Sequence, residues 1–525
     1  METYEVVILG SGISGLIAGN ILAKKGYKVC ILEKNFKPGG YVLNFTRNGY
    51  RFDPIIHFIN GCGPDGMMTQ LLSLFDAQDE IEFIKLNELI HWVDVERDFE
   101  IHDPIPFDEH VKTLCKCFPH ESNGIQKFYK KYASVVRWMM EWFTKSALGK
   151  MGFIFTNIIT FIRFIRAINK PISKILEPYI SDSILKELIS ALAISFGYFR
   201  YEMSAILFIM SEMSYRFEGA WYPKGGAGAL SKMLAEVYLK NGGLLKLGAE
   251  VKRLKIEGKK VESIIYQDRR EKKEFSITGK YVISDIDLTT LVNEMCVPNI
   301  FSKKYIQKIN QRKTTYSSIV ISLGINLDLK KRGFDDYELW RFYASNANLA
   351  NLNITTKNLK FENIPIELIT CYSNLDPTCC PKGKSVISII YYSWLEPWKK
   401  FLKANNEKSE KYYQFKKEVG DIFIKKIENA LKIENLEDKI EVIDIATPLT
   451  LHDYTNNRNG ANFGWRLDPK MQMTQAIRNK TSVKNLVLCG QWVMPGASIS
   501  ATSLSGFAAA SRVSKKLGSS NHTNN

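Results

Sequence analysis

VVILGSGISGLIAGNILAKKGYKVCILEK, Val6 to Lys34, decides the reading of the chain. Four consecutive apolar residues, Val6–Leu9, close a short strand pattern that begins at Glu5. A G-x-G-x-x-G turn of Gly10, Gly12 and Gly15 follows, and then an amphipathic helical pattern, Ser14–Lys25. A second strand, Lys28–Leu32, ends on Glu33, 23 residues beyond Gly10. A lone glycine turn is weak evidence, but this one sits between an apolar strand and a helix, where a dinucleotide fold requires it. The first glycine permits the tight turn, the second lets a pyrophosphate approach the backbone, and the third lets helix and strand pack closely. The helix N-terminus then offers free N–H groups and a partial positive charge to phosphate. An acid at position 33 suits ribose hydroxyls and opposes a 2′-phosphate, so an NADP-type cofactor is disfavoured here. The unit alone leaves FAD and NAD both open.

The 525 residues suffice for two or three cores, since single cores stop growing near ~250–300 residues. A hydrophobic fraction of 45% and a charged fraction of 24% are those of an ordinary globular protein. The net charge of +16 comes from lysines scattered along the chain, which suits a solvated surface first and an anionic membrane second. No zinc-finger spacing, RNA-binding aromatic signature or basic arm is present, so a nucleic-acid partner is set aside. Nine cysteines, an odd number, lack C-x-x-C spacing, and only seven histidines are present, so free thiols and no metal site are expected. The first apolar run is the first nucleotide-unit strand and has no basic region before it, which argues against a secretory signal. A cytoplasmic location follows.

The stretch Glu33-Lys-Asn-Phe-Lys-Pro-Gly39-Gly40 puts a double glycine six residues after the acid. Three remote stretches share its character. Asn48-Gly-Tyr-Arg-Phe-Asp-Pro-Ile-Ile-His57 is the first, and Trp221-Tyr-Pro-Lys-Gly-Gly-Ala-Gly-Ala-Leu230 the second, the latter leading through a helix to a strand pattern over Leu244–Leu254. The third is Leu486-Val-Leu-Cys-Gly490-Gln-Trp-Val-Met-Pro-Gly496-Ala-Ser-Ile-Ser500, running into a helix over Ala501–Leu517. Taken locally, residues 222–226 read as turn chemistry opening a helix near Ala229, and Leu486–Cys489 as a short apolar strand. Phe118-Pro-His-Glu121 and Ala446-Thr-Pro-Leu-Thr450, with Tyr454 and Gly464-Trp465, complete the set.

In this order and over nearly the whole chain, these stretches resemble the phytoene desaturase, carotenoid isomerase and retinol saturase family of FAD enzymes. The resemblance implies an α/β fold: a Rossmann-like FAD-binding domain of the glutathione reductase and amine-oxidase type, with an inserted substrate domain of mixed sheet plus helices. It divides the chain into FAD-binding segments 1–110, 221–290 and 446–525, a helical substrate or membrane-associating region 111–220, and a substrate domain 291–445. FAD contacts are implied at Gly10, Ser11, Gly12, Ile13, Ser14, Gly15, Glu33 and Lys34, at Gly39, Gly40 and Tyr41, and at Val251, Gly490, Ile499 and Ser500. The helix after Ser500 would aim its N-terminal dipole at the flavin's pyrimidine carbonyls. The glycine that the family carries near Ile55 is absent here.

His57 is the sole histidine inside a motif next to the flavin, and it is read either as a proton carrier or as a residue packed against the cofactor loop. Lys224 and Tyr222 are secondary candidates. No Ser/His/Asp set or metal cluster competes with a cofactor-borne centre. The implied chemistry is desaturation, saturation or cis/trans isomerisation of a lipidic isoprenoid or polyene. An amine-oxidase-like enzyme acting on a small polar substrate is the alternative. Gly225-Gly226-Ala227-Gly228 lacks the third glycine, follows no apolar strand and is no second nucleotide unit, so electrons exchange with an external acceptor or donor such as a quinone or a reductase, or else cycle with no net transfer.

MGFIFTNIITFIRFIRAINKP, Met151–Pro171, holds about a dozen apolar residues before Arg163, whereas a span of the bilayer takes ~20. Phe153, Phe155, Ile158, Ile159, Ile162 and Ile165 form one broad face, flanked by Lys150, Arg163, Arg166 and Lys170. Two readings fit: a helix lying in the membrane interface, giving peripheral (monotopic) association, or a core helix of the substrate domain.

Overall fold

The computed structural model describes residues 2–145, 147–296, 299–335, 337–346, 357–466, 468–469, 476–496 and 498–521. Two seven-stranded sheets organise the chain. Fourteen strands build them, in chain order β1 Glu2–Leu9, β2 Val29–Glu33, β3 Glu88–Asp94, β4 Phe99–Pro104, β5 Leu244–Leu247, β6 Ala249–Glu257 and β7 Lys260–Asp268. The remainder are β8 Glu274–Ser284, β9 Ser317–Ile325, β10 Glu338–Phe342, β11 Ile366–Thr370, β12 Ser385–Ser393, β13 Ile440–Ala446 and β14 Leu486–Leu488. The helices used below are α1 Ile13–Lys24, α2 Ser122–Thr144, α3 Ala147–Thr156, α4 Ile158–Ala167, α5 Ala205–Glu218, α6 Ala227–Lys240 and α7 Ile499–Asn521.

The first sheet runs β5-β2-β1-β8-β7-β6, with β14 also beside β8. Its β5, β2, β1, β8 and β14 are mutually parallel, whereas β6–β7–β8 is an antiparallel meander. Val6 to Leu9 and Val29 to Leu32 are almost wholly buried, as expected of parallel strands covered on both faces. Helix α1 is buried from Ile13 to Ala23 because α6 and α7 pack against it. Gly10 sits at φ +94°, a conformation open to glycine and costly for other residues.

The second sheet runs β13-β9-β12-β11-β10-β3-β4 and is antiparallel except where β10 meets β3. Every residue of β9 and β12 is buried. Strands β3 and β4 therefore place residues 88–104, which the sequence groups with the first nucleotide-binding segment, in the sheet of the substrate side. Both sheets are mixed, as expected for this α/β architecture.

Three local expectations need correction. Leu244–Leu254 is two strands, because Gly248 at φ +76° breaks the run between β5 and β6. Tyr222 and Pro223 end a strand, Ala220–Pro223, which pairs with Ile59–Asn60 and with Phe83–Lys85, so the expected turn is confined to residues 224–226 and α6 begins at Ala227. Met151–Pro171 is not one helix, since α3 and α4 meet at Asn157, whose side chain donates to the Phe153 carbonyl at 3.1 Å. The side chain of Lys150 lies outside the described residues.

Candidate functional site

The end of β1, the glycine turn and the start of α1 open onto an elongated cavity with about 1320 Å³ of empty space, its solvent-open mouth included. Three remote regions wall it: Gly10 to Ile56, Ala249 to Met295, and Thr455 to Thr502. Of the residues singled out from sequence, Gly10, Gly12, Ile13, Ser14, Glu33 and Lys34 line it, as do Gly39, Gly40, Tyr41, Val251 and Ile499. Ser11 is buried behind the wall, where its N–H and Oγ donate to Glu33 Oε2 at 2.9 and 2.8 Å. Glu33 Oε1 accepts the Asn35 N–H at 2.8 Å, so this carboxylate ties the glycine turn to the end of β2. Gly15 is not itself in the lining and donates its N–H to Oδ2 of Asp285, which is, at 3.0 Å. Gly490 lies beneath the floor, its N–H bound to Ser505 Oγ at 2.8 Å.

Asp285, one residue past β8, carried no motif signal and lies against the N-terminus of α1. Ser14 Oγ donates to its Oδ1. A Cβ on Gly12 would stand 2.5 Å from its Oδ2, so only bare backbone fits beside it. Burial pushes its carboxyl up to about 7, while the Ser14 and Gly15 hydrogen bonds pull the other way. Among the described residues of the lining, Lys34 is the one lysine or arginine, against four acids: Glu33, Glu250, Asp285 and Asp287. The N–H groups of α1 are therefore the other positive element that the site offers an anion.

A second cavity of about 820 Å³ adjoins the first, and Ile55, Ile56, Asn462, Phe463, Ser498 and Ile499 line both. Phe58, Phe196, Tyr215, Trp340, Leu368, Ile390 and Tyr392 make its walls apolar and aromatic. Among the described residues, no Asp, Glu, Lys or Arg lines it. Ser500, expected at the cofactor, lines this cavity instead and donates to Asn60 Oδ1 at 2.8 Å. Asn462 Oδ1 at the junction is buried with no partner among the described residues, an acceptor left for a bound molecule.

His57 lines the second cavity. Its Nδ1 lies 2.7 Å from Glu338 Oε1 on β10 and 2.7 Å from Thr370 Oγ1 on β11. Three tyrosines, Tyr372 and Tyr222 buried and Tyr337 half-buried, hold its loop: Tyr337 OH donates to the His57 carbonyl, Tyr372 OH donates to the Asp53 and Ile56 carbonyls at 3.2 and 3.1 Å, and Tyr222 OH donates to Asp53. Asp53 also accepts the Ala227 N–H at 2.7 Å and so caps α6. These hydroxyls clamp the loop that carries Ile55 and His57. Tyr222 is thus a support for that loop. Lys224 lies on neither cavity wall; its exposed ammonium pairs with Glu82 at 2.7 Å.

The sequence model of the family described as flavin containing amine oxidoreductase matches residues 13–514. The chain is 25% identical to the all-trans-retinol 13,14-reductase of Danio rerio, over 94% of this chain and 83% of that protein. It is also 25% identical to prolycopene isomerase 1, chloroplastic, of an Oncidium hybrid cultivar, over 98% of this chain and 85% of that one. Among solved structures, an oxidoreductase from Methanosarcina mazei superposes with a TM-score of 0.61 at 16% identity, over 97% of this chain and 99% of that one, a likeness of fold.

Proposed function

This chain belongs to the flavin-containing amine oxidoreductase family, and from that premise we propose that it is an FAD enzyme whose own residues hold the dinucleotide in the longer cavity and an apolar polyene in the adjoining one. The observation that carries the substrate reading is the uncharged, aromatic wall of the second cavity, continuous with the first. An ammonium substrate would find no carboxylate in that wall, which favours a carotenoid- or retinoid-like molecule over an amine. The relatives named for retinol and prolycopene point the same way.

The glycine turn and the N-terminus of α1 would hold the diphosphate, with Glu33 and Lys34 for the ribose and Val251 for the adenine. Gly39, Gly40, Tyr41 and Ile499 would complete the cofactor wall, with Ser11, Gly15, Gly490 and Ser500 supporting it. When bound, the flavin supplies hydride exchange with a substrate carbon. Ile55, Ile56, Phe463 and Ile499 keep water from the boundary between the two cavities. His57 presents Nε2 to the substrate cavity and holds or moves a proton there. Desaturation, saturation and isomerisation all use this arrangement. Electrons exchange with an external donor or acceptor of the quinone or reductase kind.

Membrane contact through α3 and α4 belongs to the same reading, because such substrates partition into lipid. Phe155 and Ile159 are 75% and 65% exposed, with Ile158, Ile162 and Ile165 also exposed beside Arg163 and Arg166. Among the described residues no helix is long and apolar enough to cross a membrane, so association by this face is peripheral. The decisive test expresses the chain in a polyene-producing host and follows lipid masses. A polyene that accumulates or disappears with wild type, and at least tenfold less with His57→Ala at equal FAD content, is expected. Unchanged lipids with wild type would overturn the substrate assignment.

A further inference from the structure

Glu338 opens β10 and is 3% exposed. It accepts three donors: the His57 ring at 2.7 Å, Thr370 Oγ1 at 2.9 Å on the same oxygen, and Trp340 Nε1 at 3.0 Å on the other. Among the described residues, its one ion-pair partner is His57 when that ring is protonated. A carboxylate set this deep without Lys or Arg is costly unless a positive charge can form beside it. Among the described residues the surroundings are otherwise uncharged: Tyr372 stands edge-on to the imidazole at 6.3 Å, Tyr337 holds the His57 carbonyl, and Tyr392, Tyr215 and Trp340 line the cavity from β12, α5 and β10. Asp53 is the nearest other acid along the loop, and Tyr222 and the N-terminus of α6 occupy it.

We propose that Glu338, seconded by Thr370, is the positioning residue that fixes the Nδ1 proton of His57 and makes the ring a proton carrier facing the polyene cavity. An ionised carboxylate accepts only, so Nδ1 carries hydrogen toward Oε1; the Thr370 hydroxyl donates to the same oxygen and offers its lone pair to the ring. That arrangement leaves Nε2 as the working atom. No protein partner for Nε2 is found among the described residues, and the ring is 16% exposed, into the cavity. A proton leaving a substrate C–H bond would go to Nε2, making an imidazolium whose charge Glu338 balances. In the reverse direction the same proton returns to carbon. The electron pair that this proton leaves behind becomes the new C=C bond. The neighbouring C–H bond gives up its hydrogen with its own pair in the hydride exchange with FAD described above, so the proton inference rests on that reading.

The test uses Glu338→Gln and Glu338→Asp in the FAD-loaded full chain, with two readouts. The first is the pH dependence of kcat with a polyene substrate in detergent micelles. The second is the titration of His57 followed by NMR of 13C-histidine-labelled protein, assigned by loss of its signal in His57→Asn. Removing the negative charge disfavours imidazolium. In Glu338→Gln, the His57 titration and the matching limb of kcat are therefore expected to move at least one pH unit lower, with KM within twofold. Glu338→Asp should restore part of the shift. Coincident His57 titrations in wild type and Glu338→Gln would overturn the role of Glu338. Absence of polyene turnover in wild type, with the NMR shift present, would instead sink the substrate reading and leave the positioning of His57 intact.

Discussion

The Gly15 N–H, in the first turn of α1, donates to Asp285 Oδ2 at 3.0 Å across 270 residues of sequence. The helix end offered to phosphate is thus already shared with a carboxylate. Two negative groups at one helix N-terminus compete, and that competition has a pH signature. The Asp285 carboxyl is raised from an ordinary 3.8 to about 7. Its contribution to stability is therefore present below pH 3.8 and lost as pH rises through about 7, where ionisation places bare charge beside the diphosphate. FAD affinity should fall above pH 7, by up to ~tenfold per pH unit. Flavin retained after gel filtration at pH 6, 7.5 and 9 checks this, and Asp285→Asn should flatten the dependence.

The contact between Gly12 and Asp285 gives a second expectation. Gly12→Ala would put a methyl group 2.5 Å from Asp285 Oδ2, in the space where backbone meets ligand. FAD binding should weaken at least tenfold while far-UV circular dichroism stays native, because the added atom faces the cavity and not the core. Full flavin absorbance after reconstitution would contradict the assignment of this turn to the diphosphate.

Ile390 is 6% exposed, pairs with Leu368 across β12 and β11, and lines the apolar cavity alone, not the dinucleotide one. Ile390→Trp should occupy substrate volume, lowering kcat/KM for a polyene at least tenfold with FAD content unchanged. Loss of flavin in this variant would show that the two cavities are not separable in use.

Lys224 provides the contrast. An exposed ion pair such as the one with Glu82 contributes little to stability. Lys224→Ala should leave turnover within twofold and melting temperature within ~2 °C, both read on the FAD-loaded protein.

For the α3–α4 face, Phe155→Asp with Ile159→Asp replaces its two most exposed apolar residues. Wild type should float with vesicles containing anionic lipid, and the double variant should remain in the dense fraction. Equal flotation of the two would remove these helices from the membrane contact.

The nucleotide unit was legible because its information is local. Strand, turn, helix and acid all fall within Val6–Lys34, and backbone geometry makes each glycine's task readable from spacing alone. The remote stretches could be ordered by their likeness to a family, and Gly39, Gly40, Val251 and Ile499 lie on the cavity wall beside that unit. Shorter signals misled. Gly225–Gly226 drew attention to Lys224, yet what matters nearby is the bond from Ala227 N–H to Asp53. The apolar run of α3 and α4 hid the break at Asn157, since hydrophobic periodicity does not register a side chain capping its own helix end.

His57 could be named from sequence, but its chemistry could not. Glu338, Thr370 and Asp285 stand in no motif, and ordinary strand-end composition surrounds them. They become functional neighbours only because β10 and β11 pair in one register and β8 lies against β1 in another. Amino-acid order sets what each short segment can do with its own backbone. Which carboxylate comes to rest beside which ring or helix end is set by sheet order and crossovers, where a shift of one residue turns every side chain to the opposite face. That is a property of the folded whole.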